Sequence, residues 1–122
     1  MGVRSDVGIA MKEYDYQNLS EKAKKFLEEW GFEEQTAYKP ENEKDEDQAG
    51  RLLMTTAVKW YHHSYEDIQA FMRHLNDDHD DDDWLLLQAC HDYPDSNDGD
   101  EGGWHDNPFD FTKNVSVELA WY

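Results

Sequence analysis

The residues best suited to chemistry in this chain are six histidines, a single cysteine and a large excess of carboxylates. His62 and His63 are adjacent, while His74, His79, His91 and His105 stand in or beside acidic segments. Such a mixture could bind zinc, which needs three or four ligands converging at about 2 Å on ordered elements. The spacing argues against it. There is no HExxH, and His62 and His63 would point to opposite sides of a strand. Surface histidines scattered among carboxylates are the simpler reading. The segment Asp95-Ser96-Asn97-Asp98-Gly99-Asp100-Glu101 has the composition of a calcium loop but not the D-x-[DN]-x-[DN]-G spacing. Cys90 lies beside His91, yet neighbours in a strand face apart, so a buried structural thiol fits better than a nucleophile. Neither GxxxxGK[ST] nor GxGxxG occurs. These residues assign no catalytic group, metal centre or cofactor, and the chain reads as a non-enzyme.

The carboxylates themselves are the remaining candidate. Asp and Glu number 29 against 11 Lys and Arg, for a net charge of −18 with His neutral. The excess is concentrated in Glu41–Asp47, in Asp77–Asp83 and between Asp92 and Asp110. Self-repulsion on this scale costs stability. It also disfavours direct contact with nucleic acid or an anionic membrane. Duplex DNA carries one charge per about 1.7 Å of axis, so 18 charges match roughly 30 Å of duplex. Concentrated carboxylates can therefore imitate a phosphate track and compete for Arg and Lys clusters that grip DNA or RNA. The expected partner is a basic nucleic-acid-binding protein. The expected contact residues are Asp77, Asp78, Asp80, Asp81, Asp82, Asp83, Asp92, Asp95, Asp98, Asp100, Glu101 and Asp106. Trp104 joins them with two readings open, an aromatic anchor for the partner or a residue pinning its own loop. Two other readings compete: a skin that serves solubility alone, and a binder of a small ligand or divalent metal.

The elements that must position these residues follow from hydropathic spacing. Val3, Val7, Ile9 and Met11 alternate and predict an opening strand. Leu19, Ala23, Phe26, Leu27 and Trp30 fall on one stripe of a helix over 19–30, with Asn18 as cap, Glu21 at the capping-box position and Gly31 as stop. Residues 33–50 read as an acidic loop around Pro40. A strand over 51–60 follows. A helix over 65–76 opens at Ser64, with Asp67 at the capping-box position, and buries Tyr65, Ile68, Phe71, Met72 and Leu75. The run at 77–83 ends that helix and leads into a strand over 84–91, an acidic Gly/Pro loop over 92–113, and a closing strand over 115–122. The order β-α-β-α-β-β implies an α+β fold: a four-stranded sheet with two helices packed on one face, the last two strands pairing as a hairpin.

With 122 residues the chain suits one domain, residues 1–122. Five Trp, seven Tyr and five Phe supply the burial that a disordered acidic tail lacks. One cysteine cannot form an internal disulfide, and no opening apolar run suggests export, so a cytoplasmic setting is expected. The segments Met1-Gly2-Val3-Arg4-Ser5-Asp6-Val7, Val58-Lys59-Trp60-Tyr61 with Tyr65-Glu66-Asp67-Ile68, and the alternation over 115–121 resemble a group of small acidic bacteriophage proteins of uncharacterised function. The resemblance implies a phage origin and an α+β fold, and no activity. It would make a host restriction or CRISPR-type defence protein the sensible target, inside the host cytoplasm.

Overall fold

Strand β1, Ser5–Lys12, carries two different faces. Val7, Ile9 and Met11 point to one side, while Gly8 and Ala10 point to the other. The computed structural model describes residues 4–41, 48–61, 64–90, 100–113 and 119–120. It is an α+β fold in which β1 lies at the centre of a five-stranded sheet of order β2 (Glu33–Tyr38), β3 (Gly50–Val58), β1, β4 (Trp84–Cys90), β5 (Glu101–Gly102). Both β3 and β4 flank β1 antiparallel, with Ile9 opposite Leu53 and Leu86.

Two expectations about the sheet are corrected. It has five strands rather than four, and two of them come from segments read as loop. β2, Glu33–Tyr38, pairs antiparallel with β3, and β5, Glu101–Gly102, pairs with β4. Among the described residues the expected hairpin of the last two strands is not seen: β4 pairs with β1 and β5. A separate two-stranded ribbon joins β6, Thr112–Lys113, to β7, Leu119–Ala120. The rest of the expected closing strand lies outside the described residues.

The helices cover the Val7–Ile9–Met11 face as expected. α2, Glu21–Glu29, and α3, Glu66–Asp78, bury Ala23, Phe26, Leu27, Ile68, Phe71, Met72 and Leu75 against Leu53, Trp84 and Leu86. Phe26 stacks on Phe71 with centroids 4.4 Å apart. The cap of α2 is Ser20, whose Oγ accepts from the Ala23 amide, and not Asn18. Asn18 instead closes a short preceding helix, α1, Glu13–Gln17, by donating to the Tyr14 carbonyl at 2.7 Å. Gly31 ends α2 as anticipated. Its φ of 77° lets the Gly31 and Phe32 amides donate to the Glu28 and Leu27 carbonyls, the Schellman arrangement. α3 begins without a side-chain cap, since Ser64 does not act as one. Asp67 accepts from the Trp30 indole at 2.8 Å and so ties the end of α2 to the start of α3.

The second sheet face is also covered, which the expected fold lacked. Trp104, Phe109, Phe111 and Leu119 pack on Ala10, Leu52, Met54, Leu85, Leu87 and Ala89. Glycines make the room. A Cβ on Gly8 would lie 2.6 Å from the Phe111 ring, and one on Gly50 would lie 2.6 Å from the Trp104 ring. Buried Asn107 holds this layer, donating to the Trp104 carbonyl and accepting from the Phe109 and Phe111 amides. A Gly/Pro-rich acidic segment thus becomes a core layer, because its aromatics outweigh its turn residues. Cys90 is buried and free.

Candidate functional site

The densest run of carboxylates sits at the end of the sheet where β1 finishes and β4 begins. Asp77 and Asp78 are the last residues of α3, and both are exposed. Asp80 caps a single 3-10 turn, Asp81–Asp83, its Oδ1 accepting from the Asp82 amide at 3.0 Å. The Asp81 carbonyl accepts from the Gly103 amide at 2.7 Å, which docks the turn onto the end of β5. Gly103 follows Gly102, where a φ of 93° and the closeness of the Trp84 carbonyl leave no space for a Cβ. Asp80, Asp81 and Asp82 are exposed and Asp83 is half-buried. The acidic run is therefore held on hydrogen-bonded backbone and does not hang as a loose loop.

Cations do little to neutralise it. Among the described residues Asp77, Asp80, Asp81 and Asp82 make no ion pair; Asp83 pairs with Lys12 at 3.2 Å. Arg51 is taken by Glu13 in a two-pronged contact at 2.8 Å, with Glu34 at 3.3 Å. That contact holds the Glu13 carboxyl below its ordinary pKa. The last turn of α3 contains no basic residue. Asp77 and Asp78 thus face the negative end of a helix dipole, each at a cost of about 0.3–1 kcal/mol.

A buried polar pair lies beneath this surface, and no local sequence pattern marks it. His79 Nδ1 and Asp15 Oδ1 are 2.7 Å apart, with side chains only 4% and 5% exposed. The expectation of surface histidines is corrected here. The other polar atoms of the pair, His79 Nε2 and Asp15 Oδ2, are buried without a hydrogen-bond partner among the described residues. Burial raises the Asp15 carboxyl pKa; the His79 hydrogen bond opposes this, and the nearby Asp83 carboxylate reinforces it. His74 packs edge-on against His79 with ring centroids 5.0 Å apart. Its Nε2 accepts from the Ser20 amide, so Nδ1 carries the proton and donates to Asp78 at 2.7 Å.

These shifts set a pH dependence. A carboxyl whose pKa is higher folded than unfolded holds its proton more tightly in the folded chain. The contribution of Asp15 is complete below the ordinary Asp value of about 3.9 and is lost as pH rises through its raised folded value. Glu13 acts oppositely: its contribution exists above the ordinary Glu value of about 4.3 and is lost as pH falls through its lowered one. Both contributions are present together between the lowered Glu13 value and the raised Asp15 value, so stability should peak in mild acid. Thermal unfolding is expected at a higher temperature at about pH 5 than at about pH 7.5, with Asp15→Asn shrinking the difference. A melting temperature that falls on the same acidification contradicts this assignment.

The other expected contact residues divide. Glu101 is half-buried beside the turn, and Asp100 is half-buried with its Oδ1 accepting from the Gln88 amide at 2.9 Å. Asp106 is exposed on the loop that covers the second face. Asp92, Asp95 and Asp98 lie outside the described residues, as do His62, His63 and His91. Trp104 is corrected as a partner anchor: at 3% exposure it pins its own loop. Elsewhere, a groove of about 480 Å³ runs between α2 and α3 over Ala23, Phe26, Ala70 and Phe71. Among the described residues no three His, Cys, Asp or Glu converge as a metal centre, and no helix is long and apolar enough to cross a membrane. No protein-family model, characterised protein or solved structure matches this chain.

Proposed function

We infer that this protein is a non-enzymatic binder that inhibits a basic DNA- or RNA-handling protein by presenting carboxylates in place of phosphates. The observation that carries this reading is the run Asp77–Asp83, whose exposed carboxylates stand on backbone fixed to β5 and α3 and, among the described residues, are mostly without cation partners. A charge skin serving solubility alone gains nothing from such ordering, nor from placing Asp77 and Asp78 against a helix dipole. Fixed charges lose little freedom on binding, and they attract a basic cleft over a range set by the Debye length, which is longest at low salt. The resemblance of the Met1–Val7 and Val58–Tyr61 segments to small phage proteins makes a host restriction or CRISPR-type nuclease the proposed target, met in the host cytoplasm.

Competition tests this. The immobilised protein should retain its partner at about 50 mM salt and release it to added duplex DNA, as expected when carboxylates occupy a phosphate track. A partner that stays bound under saturating DNA, or at about 500 mM salt, refutes phosphate mimicry.

A second reading rests on the groove between α2 and α3. Its volume falls within the range of small-molecule sites, and its floor is apolar and aromatic, with Lys22, Lys25, Glu29 and Asp67 at the rim. A small-ligand binder would show thermal stabilisation by a ligand class that Ala70→Trp abolishes.

A further inference from the structure

We propose that the buried Asp15–His79 pair is the positioning clamp of the acidic run, tying the segment that carries Asp80–Asp83 to α1. The inference rests on reading that run as the binding surface, and its geometry is independent of any partner. His79 is the first residue after α3, so its 2.7 Å contact with Asp15 fixes the point from which the run departs. Among the described residues the segment is also held by the Asp80 carboxylate on the Asp82 amide, the Asp80 carbonyl on the Asp83 amide, the Asp81 carbonyl on the Gly103 amide, and the Lys12–Asp83 ion pair.

The clamp has a charge logic of its own. The groups facing it are Asp83 from the turn and His74 from α3; Lys12 from β1 pairs with Asp83, and Asp78 and the Ser20 amide hold the His74 ring. Asp15 and Asp83 repel when both are ionised, and the Lys12 ion pair goes to Asp83. Opening the segment exposes Asp15 to water and returns its carboxyl to ordinary behaviour. The closed form therefore binds the proton more tightly, and the clamp loosens as pH rises through the Asp15 titration. Among the described residues His79 Nε2 has no hydrogen-bond partner, so there the pair is joined by a single hydrogen bond.

Amide hydrogen exchange of the intact protein reads this directly at Asp82, Asp83 and Gly103, with Ile9 and Leu86 in the central strands as references for global opening. In His79→Ala, protection at the three amides should fall about tenfold or more while Ile9 and Leu86 keep theirs. His79→Asn, which returns an N–H donor near the place of Nδ1, should recover most of it. In wild type, protection corrected for intrinsic exchange should decline as pH rises from mild acid to neutral, and Asp15→Asn should flatten the profile. Unchanged protection in His79→Ala overturns the clamp, as does a loss shared equally by Ile9 and Leu86. Should that variant fail to fold, an Asp15→Asn profile as steep as wild type overturns it alone. Loss of protection without loss of partner binding keeps the clamp and sinks the acidic run as the binding surface.

Discussion

Replacing Trp104 with alanine should lower the unfolding free energy by about 3–5 kcal/mol, the usual cost of removing a large buried aromatic. The ring is 3% exposed, meets Phe109 edge-on at 6.2 Å, and fills the space over Gly50, where even a Cβ would approach within 2.6 Å. Lys12 lies 5.9 Å from the ring centroid, so the substitution also removes a cation–π contact beside the acidic run. One feature works the other way. The Trp104 indole N–H is buried without an acceptor among the described residues, and its removal recovers part of that penalty. The loss should therefore fall toward the lower end of the range. On a domain of typical 5–15 kcal/mol stability it remains severe. Denaturant midpoints at unchanged slope would measure it. A loss below about 1 kcal/mol is what a solvent-facing partner anchor would give, and it would contradict the second core layer.

That residue also marks the limit of what the sequence made legible. β1, β3, β4 and both long helices were readable because Val7, Ile9, Met11 and the stripes through Phe26 and Phe71 repeat at periods that only one backbone geometry satisfies. β2 was not. Its residues, Glu33 to Tyr38, are mainly exposed on an edge strand, so burial leaves no alternation, and register comes from β3 instead. The layer from Trp104 to Phe111 was hidden because its glycines and proline speak for turns, while the reason for its order lies far away in Gly8 and Gly50. Two small residues facing one side of the central strand were the available signal, for they leave room for rings from a second layer. The Asp77–Asp83 run was plain as charge, but its docking on Gly103 was not. The Asp15–His79 pair joins residues 64 positions apart, and nothing in the local pattern of either foretells it.

The most direct test of the acidic run changes Asp77, Asp80, Asp81 and Asp82 together to Asn. All four are exposed and outside ion pairs among the described residues, and Asn can still cap the turn at position 80. Folding should be unharmed or improved, since four repelling charges disappear. Allowing up to about 1 kcal/mol per exposed charge, affinity for the DNA-displaceable partner at low salt should fall by about 5- to 1,000-fold. The dependence of log affinity on log salt should become shallower in the same variant, because fewer charges are matched across the contact. Both changes should appear together in one titration series. A quadruple variant with wild-type affinity and wild-type salt slope would contradict it.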